Sequence, residues 1–291
     1  MKIKIKIISL IILTTLLTIG CSSDGNNNAN NGNEKLVAVR KQTSQKKTHA
    51  KTTLDYYSLP SPMEIANAIQ QTGVQYEPEI LHQAEYGNRY TTTRAMAINL
   101  GIYGADLSYS IYFGQQQDAM KYMGCIKNLA SNLDISNILT DDKLKSIEDN
   151  IQNKEVLKKI ISQTFFHSDA FLKENRRSET AAMIMFGMWL ESMYISAKLT
   201  DGDVTKNPEL SQCIMEQQYV FETLIGLLAT FEKNNDINTI STEINQLGVD
   251  FDAIKQNADA KNEDKKISNA ENFNKLCTSV EKLRTDYTML F

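Results

Sequence analysis

Two stretches of this 291-residue chain leave no side of a helix free to meet water. They are "MAINLGIYGADLSYSIY", residues 96–112, and "TAAMIMFGMWLESMYISAKL", residues 180–199. In the first, Met96, Leu100, Tyr103, Leu107 and Ile111 form one face at helical spacing. Ile98, Ile102, Ala105 and Tyr109 cover much of the rest, and Thr92, Asn99, Asp106, Ser110 and Gln117 are confined to one narrow polar line. A helix apolar nearly all round belongs in the middle of a bundle. A phosphate-cradling loop would need a preceding strand and the full glycine spacing, which Gly101 and Gly104 do not supply. "LSYSI" alternates like a strand, but it has no comparable strand nearby, and a lone strand leaves its backbone unpaired. The spacing therefore predicts a central buried helix over about 91–113. Gly101, Gly104 and Ala105 are expected to admit a neighbouring backbone, and bulk at Gly104 is expected to force the pair apart.

The partner expected for it is the segment beginning after Ser178, with Gly187 inside and the chain's single tryptophan, Trp189. "LGIY" and "FGMW" can be laid over each other 86 residues apart, a hint of a duplicated helical unit too short to establish a repeat. Glu191 is the informative acid. Its neighbours three and four places away are Gly187, Met188, Tyr194 and Ile195, so no polar stripe leads it to solvent. A buried acid must be paired, hydrogen-bonded or held neutral. Arg94 is the cation assigned to it.

Punctuation elsewhere is helical. "SPMEIANAIQQTG" carries Ser61 as N-cap, Pro62 at the first position, Glu64 to complete a capping box and Gly73 past the end. A short helix is expected from Pro78 to Gly87-Asn88. Further helices are expected at 115–132, 141–151, 154–166, 178–199, 208–233, 237–247 and 250–263. A closing helix from 267 follows, striped by Ile267, Ala270, Phe273, Leu276, Val280, Leu283, Tyr287 and Leu290. With only four prolines, residues 54–291 are expected to form one all-α, bundle-like domain.

The N-terminus has a different character. Lys2, Lys4 and Lys6 precede an apolar run from Ile7 to Ile19 and then Gly20-Cys21. A basic start, a short apolar core and a small residue before the cut describe a secretory signal, and the run is shorter than the ~20 residues of a membrane span. Cysteine directly after the small residue resembles the bacterial lipobox, with Thr18 departing from its usual pattern. Residues 1–20 are thus expected to be a lipoprotein signal peptide and Cys21 the lipidated end of the mature chain. Residues 21–53, Asn-rich and then basic, are expected to be a disordered tether. Of the formal −4 charge, +3 lies on 1–20 and +4 on 21–53, so 54–291 carry −11. That acidic body argues against nucleic-acid backbones as partners. The remaining Cys125, Cys213 and Cys277 are odd in number and set in apolar contexts, which suggests unpaired core thiols.

"YYSLPSPMEIANAI", "NLGIYGADLSY" and "FGMWLESMY", behind a lipidated Asn-rich leader, resemble a group of helical lipoproteins from Bacteroidota-type bacteria. The resemblance covers most of 54–200 and weakens beyond. It implies a cell-envelope location and an all-helical fold, and it carries over no site residue.

Constellations that bear chemistry are sparse. His82-Gln-Ala-Glu85 would set two metal ligands on one helix face, but the further carboxylates and histidines of a bundle metal site are missing, so His82 is taken as a surface or capping residue. Ser44-x-x-Lys47 falls in the tether. Arg176-Arg177 is taken as a solvated turn. Tyr56, Tyr57, Tyr103, Tyr109, Tyr112 and Trp189 are taken as core packing that could line a pocket. No metal and no cofactor are expected. The leading expectation is a lipid-anchored envelope protein, at the outer membrane on its periplasmic or surface face, with a non-catalytic body that binds an envelope protein or a small ligand. The alternative is an envelope enzyme using Glu191 with Asp106 or Arg94 in an inter-helix cleft. Candidate site residues are Glu191, Asp106, Arg94, Tyr103 and Trp189.

Overall fold

A computed structural model describes residues 59–136, 140–231, 233–257 and 263–289. Cys21, the leader and tether, His49 and Tyr56-Tyr57 lie outside the described residues. The first helix, α1 (Pro62–Gln71), starts as its sequence dictates. Ser61 Oγ accepts from Glu64 N at 3.3 Å, and the Glu64 carboxylate accepts from Ser61 N at 2.8 Å. The chain then passes through two short 3₁₀ turns, Pro78–Ile80 and Ala84–Asn88, rather than one helix. His82 and Glu85 therefore do not share a helix face.

Capped by Thr92, α2 (Thr93–Tyr112) follows, then α3 (Gln116–Asn132), α4 (Asp141–Asp149), α5 (Lys154–Glu174) and α6 (Ser178–Thr200). Helix α5 runs eight residues beyond its expected end because nothing breaks it before Asn175 and Arg176, the latter at φ +56°. The expected helix 208–233 is divided into α7 (Pro208–Glu216) and α8 (Gln218–Ala229), where Gln217 N bonds Ile214 O in a tighter turn. Helices α9 (Asn235–Glu243), α10 (Asn245–Asn257) and α11 (Glu263–Thr288) complete an all-α fold with no strand among the described residues.

Helices α2 and α6 form the centre, and their contact is the most extensive in the fold. They run side by side in the same direction, since Gly101 meets Ile184–Met188 and, further along both helices, Asp106 meets Glu191. The crossing is reciprocal. A Cβ on Gly101 would run into the Ile184 carbonyl oxygen and stand 2.7 Å from Met188 N, and a Cβ on Gly187 would run into the Ile98 carbonyl. These are equivalent positions at the 86-residue offset of "LGIY" and "FGMW". The two absent side chains let backbone touch backbone, at up to ~1 kcal/mol each in helix propensity. Gly104 does not belong to this crossing. Its Cβ would meet only the Met188 side chain, at 3.7 Å, so bulk there does not press on backbone.

Around this pair sit α1, α3, α5, α7 and α11, and one continuous apolar core joins them. Cys125 and Cys277 are buried in it, Cys213 is half-buried, and none is paired. No helix among the described residues is long and apolar enough to cross a membrane.

Candidate functional site

Glu191 is wholly buried, as the lack of a polar stripe predicts, and so is Asp106. The polar line along α2 turns inward rather than to solvent. Asn99 Nδ2 donates to Tyr287 O at 3.2 Å, Asp106 meets Glu191, and Ser110 Oγ lies 3.3 Å from Tyr76 Oη. The cation that answers Glu191 is Arg284 of α11, not Arg94. Arg284 Nε and Nη2 donate to the two carboxylate oxygens at 2.8 and 2.9 Å, a bidentate pair of the strong kind. The guanidinium also lies over the Tyr194 ring, 4.3 Å from its centroid. Burial alone would push Arg284 down, but the Glu191 charge, its hydrogen bonds and the nearby Asp106 and Tyr194 together outweigh it and hold the guanidinium above its usual range.

Asp106 makes the cluster more than an ion pair. Burial first, and then the Glu191 charge, push it well above the ordinary carboxylate range. That direction favours the protonated acid beside the Glu191 carboxylate. Asp106 Oδ2 accepts from His82 N at 3.3 Å, whereas its buried Oδ1 has no hydrogen-bond partner. The result is a buried cluster of two acids and one guanidinium.

His82 closes the near side. It is buried, and desolvation together with the Arg284 charge pushes it down to about 3, so it is neutral. Its Nε2 lies 2.6 Å from Tyr90 Oη, and Tyr90 donates to Thr288 O at 3.0 Å, so the network assigns the imidazole proton to Nε2. The placement of His82 on the surface is thus corrected. Tyr90 partners its ring and Asp106 accepts from its backbone N–H, where the helix-face reading left the residue in water.

Tyr103 joins this layer. Its ring stacks on His82 at 5.0 Å and its hydroxyl donates to Gln83 O at 2.8 Å. Arg94 and Trp189 do not. Arg94, on the first turn of α2, faces Asp236 at the start of α9 at 3.8 Å. Trp189 turns to the opposite side of α6, against Phe221 at 5.4 Å. Sequence reasoning missed Arg284, although a signal existed. It stands four residues after Val280 and three before Tyr287, on the apolar stripe of α11.

Open space lies elsewhere along α6. A partly open apolar cavity of about 110 Å³ lies between α2, α3, α5 and α6, with Gly104, Met123, Phe165, Asp169, Met185 and Met188 among its walls. A groove of about 350 Å³ runs between α1, α6 and α7, edged by Asn67, Lys158, Ser192, Ser196, Cys213 and Gln217. Burial pushes the Cys213 thiol up to about 11, so it is no ready nucleophile. Neither space is lined by Asp106, Glu191 or Arg284. No group of three or more His, Cys, Asp or Glu side chains suited to a metal ion occurs among the described residues. Comparison with protein-family profiles, curated proteins and solved structures returns no match.

Proposed function

We propose that this chain is a lipid-anchored cell-envelope protein whose helical body binds a small ligand or an envelope partner and catalyses nothing at its acid cluster. The single observation that carries the second half is the closure of Glu191. Both of its oxygens are occupied by Arg284, and it lines neither the apolar cavity nor the groove. An enzyme built on Glu191 would have to open that clamp and strand a buried charge, at a cost of several kcal/mol. The cluster instead ties α11 to α6 across 93 residues of sequence, which is the work of a structural lock. The cavity and the groove, both free of that lock, are the places where a ligand fits.

The anchor rests on the leader: three lysines, a short apolar run and Gly20-Cys21. Two or more acyl chains on Cys21, at ~0.8 kcal/mol per buried methylene, would hold the body at a membrane stably. In Cys21→Ser the chain should lose palmitate label and leave the membrane fraction or stall uncleaved. Unchanged labelling of that variant would refute the anchor.

A further inference from the structure

The apolar cavity contains one group that its walls do not satisfy. Asp169, near the end of α5, is 7 % exposed, and its Oδ2 pairs with Lys173 Nζ one turn on at 2.7 Å. Its Oδ1 is buried and has no hydrogen-bond partner. Every other long wall of the cavity is aliphatic, aromatic or thioether: Leu100, Ile126, Phe165, Met185 and Met188 are representative. The neighbouring Ser168 hydroxyl is already engaged, donating to Thr164 O at 2.8 Å. A buried acceptor without a donor costs roughly 1–3 kcal/mol, more when charged. A mostly apolar pocket with one convergent polar group is the ordinary form of a small-molecule site.

We propose that this cavity binds a short alkyl chain ending in a hydroxyl, the hydroxyl donating to Asp169 Oδ1 and the chain lying between α2, α3, α5 and α6. The inference deepens the ligand-binding reading above and rests on it. Size sets the chain. A cavity of about 110 Å³ is of the order of the ~150 Å³ aliphatic cavity that takes benzene, so about six carbons fit. Charge sets the head group. Lys173 already balances the Asp169 carboxylate, so a neutral donor completes it, a second ammonium would face Lys173, and a carboxylate would face Asp169.

The test uses the full chain in lipid nanodiscs with 13C-methyl methionine, titrated with 1-hexanol and with hexanoate against empty nanodiscs. Met123, Met185 and Met188 line the cavity, Met193 lines the groove, and Met183 is buried away from both. Hexanol should shift the three cavity methyls saturably, with a dissociation constant at least about tenfold below that of hexanoate. Gly104→Leu, whose side chain enters the cavity past Met188, should abolish those shifts. Asp169→Leu should erase the preference for the alcohol while Met183 stays in place. No saturable shift, equal binding of hexanoate, or a shift at Met193 alone would overturn the assignment. Membrane attachment through Cys21 is read separately by fractionation, so a failure here leaves the anchor untouched, and a failure of the anchor leaves these shifts interpretable.

Discussion

Glu191 and Asp169 are both buried acids with a basic partner on or against the central helices, yet their surroundings differ at every step. Glu191 has a forked guanidinium on both oxygens, and the cation that carries it has a side chain only 11 % exposed. Asp169 has a single ammonium on one oxygen, from a lysine whose side chain is 32 % exposed, and its other oxygen faces no donor. Both are buried, and what separates them is the answer each carboxylate receives: both Glu191 oxygens meet a guanidinium N–H, whereas one Asp169 oxygen meets no donor. The complete site fixes the packing of three helices, and the incomplete one has room beside it. A buried acid by itself therefore does not mark a functional site. An unanswered one with space is the better candidate.

The sharpest way to break this comparison is to remove one partner of the closed pair. Arg284→Leu strands the Glu191 charge and should destabilise the protein by about 3–5 kcal/mol in urea denaturation. The double variant Glu191→Met with Arg284→Leu should recover most of that loss, because no buried charge remains. If the double variant is as unstable as the single one, the pair contributes through shape rather than charge.

Glycines on the two sides of the helix pair should part next. Gly101→Ala places a methyl against the Ile184 carbonyl and should cost about 1–3 kcal/mol or more, despite the gain in helix propensity. Gly104→Ala points at the cavity and meets only Met188 at 3.7 Å, so it should be neutral or stabilising by up to ~1 kcal/mol. Equal losses at both positions would mean that the cavity side is as tightly packed as the crossing.

Much of this was legible in the sequence. Two helices without a polar face must lie at the centre, Ser61 and Thr92 announce helix starts, and Glu191 has no route to water. Three kinds of feature were not legible. The partner of Glu191 sits 93 residues away on another helix, and spacing rules reach only one or two turns, so nothing local tells Arg284 from Arg94. His82 gives no local sign of burial, because its partners Tyr90 and the α2 acid are brought near only by the fold. Asp169, four residues before Lys173, carries the pattern of an exposed i,i+4 pair, and nothing local betrays the cavity beside it.

Protonation offers a finer test of the closed cluster. His82 is pushed down to about 3, whereas an unfolded histidine titrates near ~6.5. Between those values the unfolded chain binds the extra proton, so the His82 contribution to stability is lost as pH falls from about 6.5 to about 3. Asp106 has the opposite sign. Its folded pKa is raised, so the native state keeps a proton that the unfolded chain sheds near ~3.9, and stability falls as pH rises above that point. Each slope is at most ~1.4 kcal/mol per pH unit, and the two oppose each other between about 4 and 6.5. Asp106→Asn should therefore remove the loss on the alkaline side and leave the acid limb steeper, as read from urea midpoints between pH 4 and pH 8. A curve parallel to that of the wild type would show that Asp106 is ionised in the folded protein.

The smallest effect on stability is expected at the open site. Replacing Asp169 by Leu removes a carboxylate whose burial is only half compensated, together with one ion pair to a partly exposed lysine. Loss of the pair costs at most ~1 kcal/mol at such exposure, and relief of the unpartnered oxygen returns a similar amount. The net change should lie within about 1 kcal/mol of zero by chemical denaturation, against several for Arg284→Leu. A group that does so little for the fold while sitting in its interior is free to serve a ligand. A loss at Asp169 as large as that at Arg284 would show the opposite: that its second oxygen is satisfied in the folded protein, and that the two acids are locks of the same kind.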